Sequence, residues 1–366
     1  MNDKIRVVKL VDYWFQHKHQ LLEAYDDSNS MRYLSDDIDP FLVGRFNCEE
    51  IEIYEPDKKR DYTVVFLPKK FSQEDVALYI VHSLVPDVIH MHGNHGWNQY
   101  PFYASYFKNS ISPLKLIFSP AGSSCGTPQF LRFFDYIIVN HKSQMKRMKI
   151  DGSFKGEILV RRRSADPSVF RPDYAMNKDK VISDFIYVAG FVPSKRIDEM
   201  INTVSNSYNF PPKNLTILGD FSRTREHYEY IKKYIDHTVW WPDTVKLHDF
   251  VPQTKMAALL GRAKVFVWPN IKPENPETTT NRSIIEALAC GMPLLLGERA
   301  FKDTEFVKEN YNGFLYSDAK DFNEKANRIL RNLWHFRLGS SVLFNEKFSF
   351  RENFIEFYNR LYLGEI

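Results

Sequence analysis

Short apolar runs, turns and segments of helical period alternate along the whole chain. In the first half, the runs over residues 5–11, 62–67, 88–91, 114–118 and 136–139 have the length and the Val, Ile, Leu, Phe and Tyr content of strands. Between them, 72–84 and 140–149 read as helices, the first with apolar positions spaced close to 3.6 residues. The second half repeats the alternation. Strands are expected over 185–188, 214–218, 245–247, 265–268 and 293–296, and helices over 195–205, 254–262 and 282–290. This alternation is the signature of parallel sheets covered by helices, an α/β class. Asp166-Pro167 and Arg171-Pro172 interrupt the pattern, so a domain boundary is expected near 165–174. The last segment, 348–362, places Phe350, Phe354, Phe357, Tyr358 and Leu361 on one helical face, most simply a docking face.

Composition narrows the class without naming a chemistry. At 366 residues the chain exceeds one compact core. The apolar share of 43% and charged share of 26% are those of an ordinary globular protein. A net charge of +3 permits an anionic substrate and does not point to wholesale nucleic-acid binding. Cys48, Cys125 and Cys290 are odd in number and far apart, which argues against a disulfide framework and a cysteine-rich zinc site. Residues 1–10 lack the apolar core of a signal peptide, and no run of eighteen apolar residues occurs. A cytoplasmic protein without a transmembrane segment is the expectation.

Parallel sheets bind ligands at the carboxyl ends of their strands. Three segments of the second half fall there. In the first, Gly190 permits a tight exit from a strand, and Lys195 with Arg196 sets two cations at a helix start. Cations there oppose the helix dipole, a conflict that a bound anion relieves. In the second, Thr278, Asn281, Arg282 and Ser283 crowd the start of another helix with cap residues and backbone N–H groups suited to phosphate oxygens. Glu286 sits inside that otherwise apolar helix, where an ionised carboxylate costs several kcal/mol unless satisfied. A ribose, with two adjacent hydroxyls, can satisfy it. The third segment, with Phe250 and Val251 after a strand, gains weight only from its place between the other two.

Taken in order, these segments resemble the retaining family-4 glycosyltransferases of the GT-B fold. PDVIHMHG resembles the family's first-domain strand and SADPSVFRP its interdomain crossing. GFVPSKRIDEMI, LTILGD, HDFVP, AKVFVWPN, NRSIIEALACGMPLLLGE and NGFLY follow in the family's order, so the likeness covers residues 86–316. It implies two facing Rossmann-like domains with a deep interdomain cleft: an acceptor-side domain over 1–168, a nucleotide-sugar domain over 169–345, and a C-terminal helix, 346–366, crossing back. Lys195 would neutralise a donor diphosphate, aided by Arg196, and Glu286 would hold the donor ribose. Gly190, Thr278, Asn281, Arg282 and Ser283 would line the sugar or phosphates, and the loop with Phe250 and Val251 would approach the base. His92 would lie in the cleft against the transferred sugar. The donor is expected to be a nucleoside-diphosphate sugar, a UDP-sugar first, with no metal or other cofactor required.

Three positions depart from the family pattern. Gly190 stands where the family carries Arg, Thr278 (beside Glu277) where it carries a second Glu, and Ala121 where it often carries His. Arg196, Arg282 or the run Arg161-Arg162-Arg163 are candidates for the missing cation, although the run reads first as an exposed turn. Two other readings compete. His90, His92 and His95 resemble the zinc site of metallo-β-lactamase-like hydrolases, with Asn94 in place of its aspartate. The positive charges between Lys142 and Arg163 suggest a nucleic-acid-facing surface, as in a glycosyltransferase acting on DNA bases or a non-catalytic nucleic-acid binder.

Overall fold

The structure is a computed structural model that describes residues 4–11, 31, 33–54, 62–93, 99–110, 113–120, 128–140, 152–172, 181–206, 214–220, 224–238, 244–249, 251–271, 282–302 and 304–366. The chain divides into two compact units, Met1–Arg163 together with Arg351–Ile366, and Ser164–Phe350.

The first unit is built on β1 (Ile5–Leu10), β2 (Ile38–Phe46), β3 (Glu52–Tyr54), β4 (Thr63–Pro68), β5 (Val88–Gly93), β6 (Lys115–Pro120), β7 (Tyr136–Val139) and β8 (Glu157–Val160). They form one sheet in the order β3-β4-β2-β1-β5-β6-β7-β8. Only the β3–β4 pair is antiparallel. All five strands expected in this half are present, and β2, β3 and β8 are additions. β2 escapes a pattern search because Pro40 and Gly44 interrupt it, and both residue types argue against a central strand. Yet β2 lies between β1 and β4, and most of its side chains are buried.

The helix expected over 72–84 is a regular helix, Gln73–Tyr79, that widens into a π turn, Ile80–Leu84. Its start is fixed by a capping box. The Asp75 amide donates to Ser72 Oγ at 3.1 Å, and the Ser72 amide donates to Asp75 Oδ2 at 2.8 Å. The Ser72 hydroxyl, which also donates to Asp75 Oδ2 at 2.7 Å, and after it the Ser72 amide hold the Asp75 carboxyl below its ordinary range. The helix expected over 140–149 lies outside the described residues.

The C-terminal segment belongs to this unit as a π turn, Arg351–Glu356, followed by the helix Phe357–Leu363. Of the expected apolar stripe, Phe354, Tyr358 and Leu361 are buried, whereas Phe357 is only partly so. Phe350, also buried, closes the second unit instead. The docking is as much polar as apolar. His90, fully buried, places Nδ1 2.7 Å from the Tyr362 hydroxyl and Nε2 2.7 Å from Ser119 Oγ. Lys9 Nζ stands 5.1 Å above the Tyr358 ring. Arg161 donates to the Tyr358 hydroxyl and to Asn140 Oδ1, each at 2.7 Å, and its guanidinium lies 4.2 Å from the Phe354 ring centre.

Two expectations are corrected by this arrangement. Arg161 is 6% exposed, so it is not part of an exposed basic turn facing nucleic acid. A buried guanidinium must be hydrogen-bonded or stacked, and Tyr358, Asn140 and Phe354 supply both. His90 has both ring nitrogens engaged within the fold, which removes it from the metal-hydrolase reading. His95 of that reading lies outside the described residues, as do Lys142, Lys146, Arg147 and Lys149 of the basic stretch.

The second unit is built on β9 (Ser183–Val188), β10 (Leu215–Leu218), β11 (Val245–His248), β12 (Ala263–Trp268), β13 (Leu294–Gly297) and β14 (Gly313–Tyr316). Its order is β11-β10-β9-β12-β13-β14, parallel throughout. Numbered within the unit this is 3-2-1-4-5-6, the doubly wound order of dinucleotide-binding folds. The helices Ile197–Ser205, Gln253–Arg262 and Arg282–Ala289 match those expected, within two residues at each end. Helices Arg225–Thr238, Ala319–Arg331 and Leu333–Lys347 are additions. Cys290 is buried in this core, and burial pushes its thiol up to about 12.

Arg161→Leu should remove a donor to the buried Tyr358 hydroxyl and lower the stability of the first unit by about 2–4 kcal/mol. Urea denaturation followed by tryptophan fluorescence checks this, and a shift below about 0.5 kcal/mol would contradict the anchoring role.

Candidate functional site

In the doubly wound order, the strands flanking the reversal send their helices to opposite faces, which opens a crevice at their carboxyl ends. In the second unit these strands are β9 and β12. β9 ends at Val188 and β12 at Trp268, so the residues that follow each frame the crevice.

From β9 the chain runs through Ala189 and Gly190 into a single 3-10 turn, Pro193–Lys195, before the helix Ile197–Ser205. Gly190 is exposed, and a Cβ built there meets nothing within 4 Å. Nor does it take a left-handed conformation. Neither sterics nor backbone geometry demands glycine at the position where the family carries arginine; the effect is open space beside the Lys195 turn.

Lys195 is held from two sides. Its carbonyl accepts a hydrogen bond from the Tyr187 hydroxyl at 2.7 Å, and its Nζ lies 5.4 Å above the Trp268 ring. Tyr187 and Trp268 pack edge to face with centroids 5.0 Å apart, one at each side of the β9/β12 reversal. Burial raises the Tyr187 hydroxyl well above its ordinary range, so it stays protonated and serves as a donor. The Trp268 carbonyl in turn accepts from Tyr316 at 2.9 Å. A cation over a buried indole gains roughly 0.5–2 kcal/mol, enough to bias the rotamer of a long, mobile side chain.

Arg196 behaves differently from its neighbour. It adopts the left-handed conformation, φ 46° and ψ 52°, a strained geometry for a side-chain-bearing residue. Its guanidinium reaches back to Asp198 at 3.3 Å and Glu199 at 2.8 Å. The expected conflict between a cation and the helix dipole is thus met locally, by two carboxylates in the first turn. The two cations part company: Lys195 turns to Trp268, and Arg196 to its own helix.

The helix Arg282–Ala289 begins against the end of β9, where Ser283 Oγ donates to the Val188 carbonyl at 3.0 Å. This bond brings the helix start to the same crevice edge as the Lys195 loop. Glu286 is 3% exposed, and its Oε1 accepts from Arg282 Nε at 2.7 Å. The carboxylate expected to await a ribose therefore already has a charged partner one turn earlier, which offsets its burial. Both oxygens of a carboxylate accept, so this pairing leaves acceptor capacity on the side chain.

The loop after β12 is tied down as well. Asn270 accepts from the Arg299 amide at 2.9 Å and donates to the Ser317 carbonyl at 2.5 Å, linking the exits of β12, β13 and β14. Gly297 is required here, since a Cβ would strike the Asn270 backbone. Val251 follows β11, an edge strand two places from β9. Phe250, Thr278 and Asn281 lie outside the described residues, as does Ala121.

His92 belongs to the other unit. It stands near the carboxyl end of β5, whose neighbour β1 marks the reversal in the first sheet, again a doubly wound order apart from the β3 hairpin. Its carbonyl accepts from the Tyr100 hydroxyl at 2.7 Å, and that ring packs so closely on Gly93 that a Cβ there would clash. Tyr187, Trp268, Tyr316 and Asn270 were not foreseen as site residues. Trp268, Tyr316 and Asn270 act through contacts between distant parts of the chain, and no local spacing announces them.

Residues 171–335 match the family described as glycosyl transferases group 1. No curated protein sequence matches the chain. Among solved structures, a sucrose-phosphate synthase from Thermosynechococcus elongatus superposes with a TM-score of 0.73 at 13% identity, over 99% of this chain and 100% of that one. Anabaena HepE in complex with UDP-glucose gives 0.68 at 11% identity, over 99% of each chain. An Escherichia coli protein described as trehalose-6-phosphate, bound with UDP-2-fluoro glucose, gives 0.65 at 9% identity over 98% of each. Two doubly wound parallel units, a C-terminal helix that rejoins the first, and superposition on these structures over nearly the whole chain give the GT-B fold, and most of the second unit, residues 171–335, is similar to the group 1 glycosyl transferases.

Proposed function

We propose that the protein transfers a sugar from a UDP-sugar to an acceptor hydroxyl with retention of anomeric configuration. The observation that carries this reading is the meeting of a fixed cation and a helix start at one strand reversal: Lys195 over Trp268, and Ser283 bonded to Val188. A diphosphate needs both, charge on one side and backbone N–H groups on the other. The UDP and UDP-glucose complexes of Anabaena HepE support uridine as the first nucleoside to test.

In this reading the bond between the anomeric carbon and the diphosphate oxygen breaks, and its electron pair leaves with UDP. The acceptor oxygen bonds the anomeric carbon on the same face, and its proton passes to the departing phosphate. Lys195 and the amides at the start of Arg282–Ala289 stabilise the negative charge growing on that phosphate. These charges belong to the protein, so the reaction as proposed needs no added metal ion. Glu286 orients the ribose while Arg282 holds the carboxylate in place. The first unit is assigned the acceptor side, with His92 near the carboxyl end of β5 as its candidate residue. A cytoplasmic location is part of the same proposal.

Lys195→Ala should lower kcat by about 10²–10³, the scale for losing one charge-stabilising group. Turnover of UDP-sugar in the presence of EDTA measures this, and unchanged turnover would remove Lys195 from the reaction. Glu286→Gln keeps the shape but weakens the acceptor, so UDP affinity should fall about tenfold, a difference of ~1.4 kcal/mol. Calorimetry giving equal UDP binding would reject the ribose role. Proton NMR of the fresh product should show the donor's own anomeric configuration, and the opposite anomer would overturn retention.

A further inference from the structure

The second unit also carries a groove of about 660 Å3 that the reaction above does not use. Val181 precedes β9 and Lys264 is the second residue of β12, and both line it. The groove therefore lies at the amino ends of the two strands whose carboxyl ends frame the crevice. β12 is six residues long, which separates the two places by about 20 Å. It is not a subsite of the crevice.

Its size falls within the range of small-molecule sites, roughly 300–1,000 Å3. Leu330, Leu333 and Trp334 form an apolar wall, and Trp334 is 56% exposed. Lys264, Arg331 and Arg337 bring positive charge, and among the described lining residues there is no Asp or Glu. Lys264 is offset by Asp184 at 2.7 Å, and Arg337 is buried and donates to the Gly261 carbonyl at 3.2 Å. Arg331 is exposed and makes no hydrogen bond or ion pair among the described residues. The helix Leu333–Lys347 starts at the groove with no acidic residue in its first turn and no side-chain cap, which adds to the positive field.

We propose that this groove binds a small aromatic molecule bearing a phosphate or carboxylate. The flat body lies against the Trp334 indole and the apolar wall, and the anionic group meets Arg331. Neither half of such a ligand suffices. An exposed cation alone holds a small anion weakly against water, and an indole face alone gives no preference for charge. The site lies at the opposite strand ends from the crevice that presents Lys195.

Isothermal titration of the full chain with 1-naphthyl phosphate tests this, in a Lys195→Ala background so that the crevice cation does not compete. Saturable binding at one site is expected, with excess UDP leaving it unchanged. Arg331→Ala and Trp334→Ala, both at exposed positions, should each weaken it about tenfold or more. Inorganic phosphate and 1-naphthol should bind at least tenfold more weakly than the joined molecule. Absence of saturable binding, equal binding by both variants, or equal binding of phosphate alone would each overturn the proposal. UDP binding to the otherwise unchanged protein reads the crevice separately, so the two proposals fail independently.

Discussion

The stacking of Lys195 on Trp268 is the contact on which the functional account depends. A lysine has four rotatable bonds and a strongly hydrated charge, so without a partner it samples solvent. Here its backbone is bonded by Tyr187 from the end of β9 and its charge is drawn to an indole at the end of β12. The doubly wound strand order makes these two ends neighbours across the reversal, which no other pair of strands in the sheet achieves with helices leaving on opposite faces. Topology thus becomes chemistry through two aromatic residues that themselves carry none.

The same logic explains the distribution of charge around the crevice. Arg196 and Arg282 are each taken up within one helix, by Asp198 with Glu199 and by Glu286. Both pairings lie at helix starts, where acids are favoured and lone cations are not. Lys195 precedes its helix in a separate 3-10 turn, and its Nζ lies over the Trp268 ring. Gly190 leaves space beside it that an arginine side chain would occupy in the family pattern. The local charge near the turn is therefore lower than the sequence count of Lys and Arg suggests.

Much of this was legible in the chain itself. The alternation of strand and helix predicted ten strands, all present, because apolar runs bounded by turns leave little alternative. Lys195, Ser283 and Glu286 were singled out through the order of motifs, and the fold places Lys195 after a strand exit and the other two within the helix Arg282–Ala289. β2 was missed because Pro40 and Gly44 break its pattern, and tertiary packing overrides both. Arg161 was misjudged for a related reason. Three consecutive arginines read as a solvated turn, and only a helix arriving from residue 357 onward shows that the first of them is buried. Tyr187 and Tyr316 looked like core residues, and their hydroxyls gain meaning only from carbonyls brought close by the fold.

The most direct measurement is a crystal structure of the protein with UDP. The account predicts the diphosphate at the carboxyl ends of β9 and β12, with a phosphate oxygen about 3 Å from Lys195 Nζ and another facing the amides that open the helix Arg282–Ala289. UDP bound elsewhere, or bound there with Lys195 turned away from both phosphates, would contradict it.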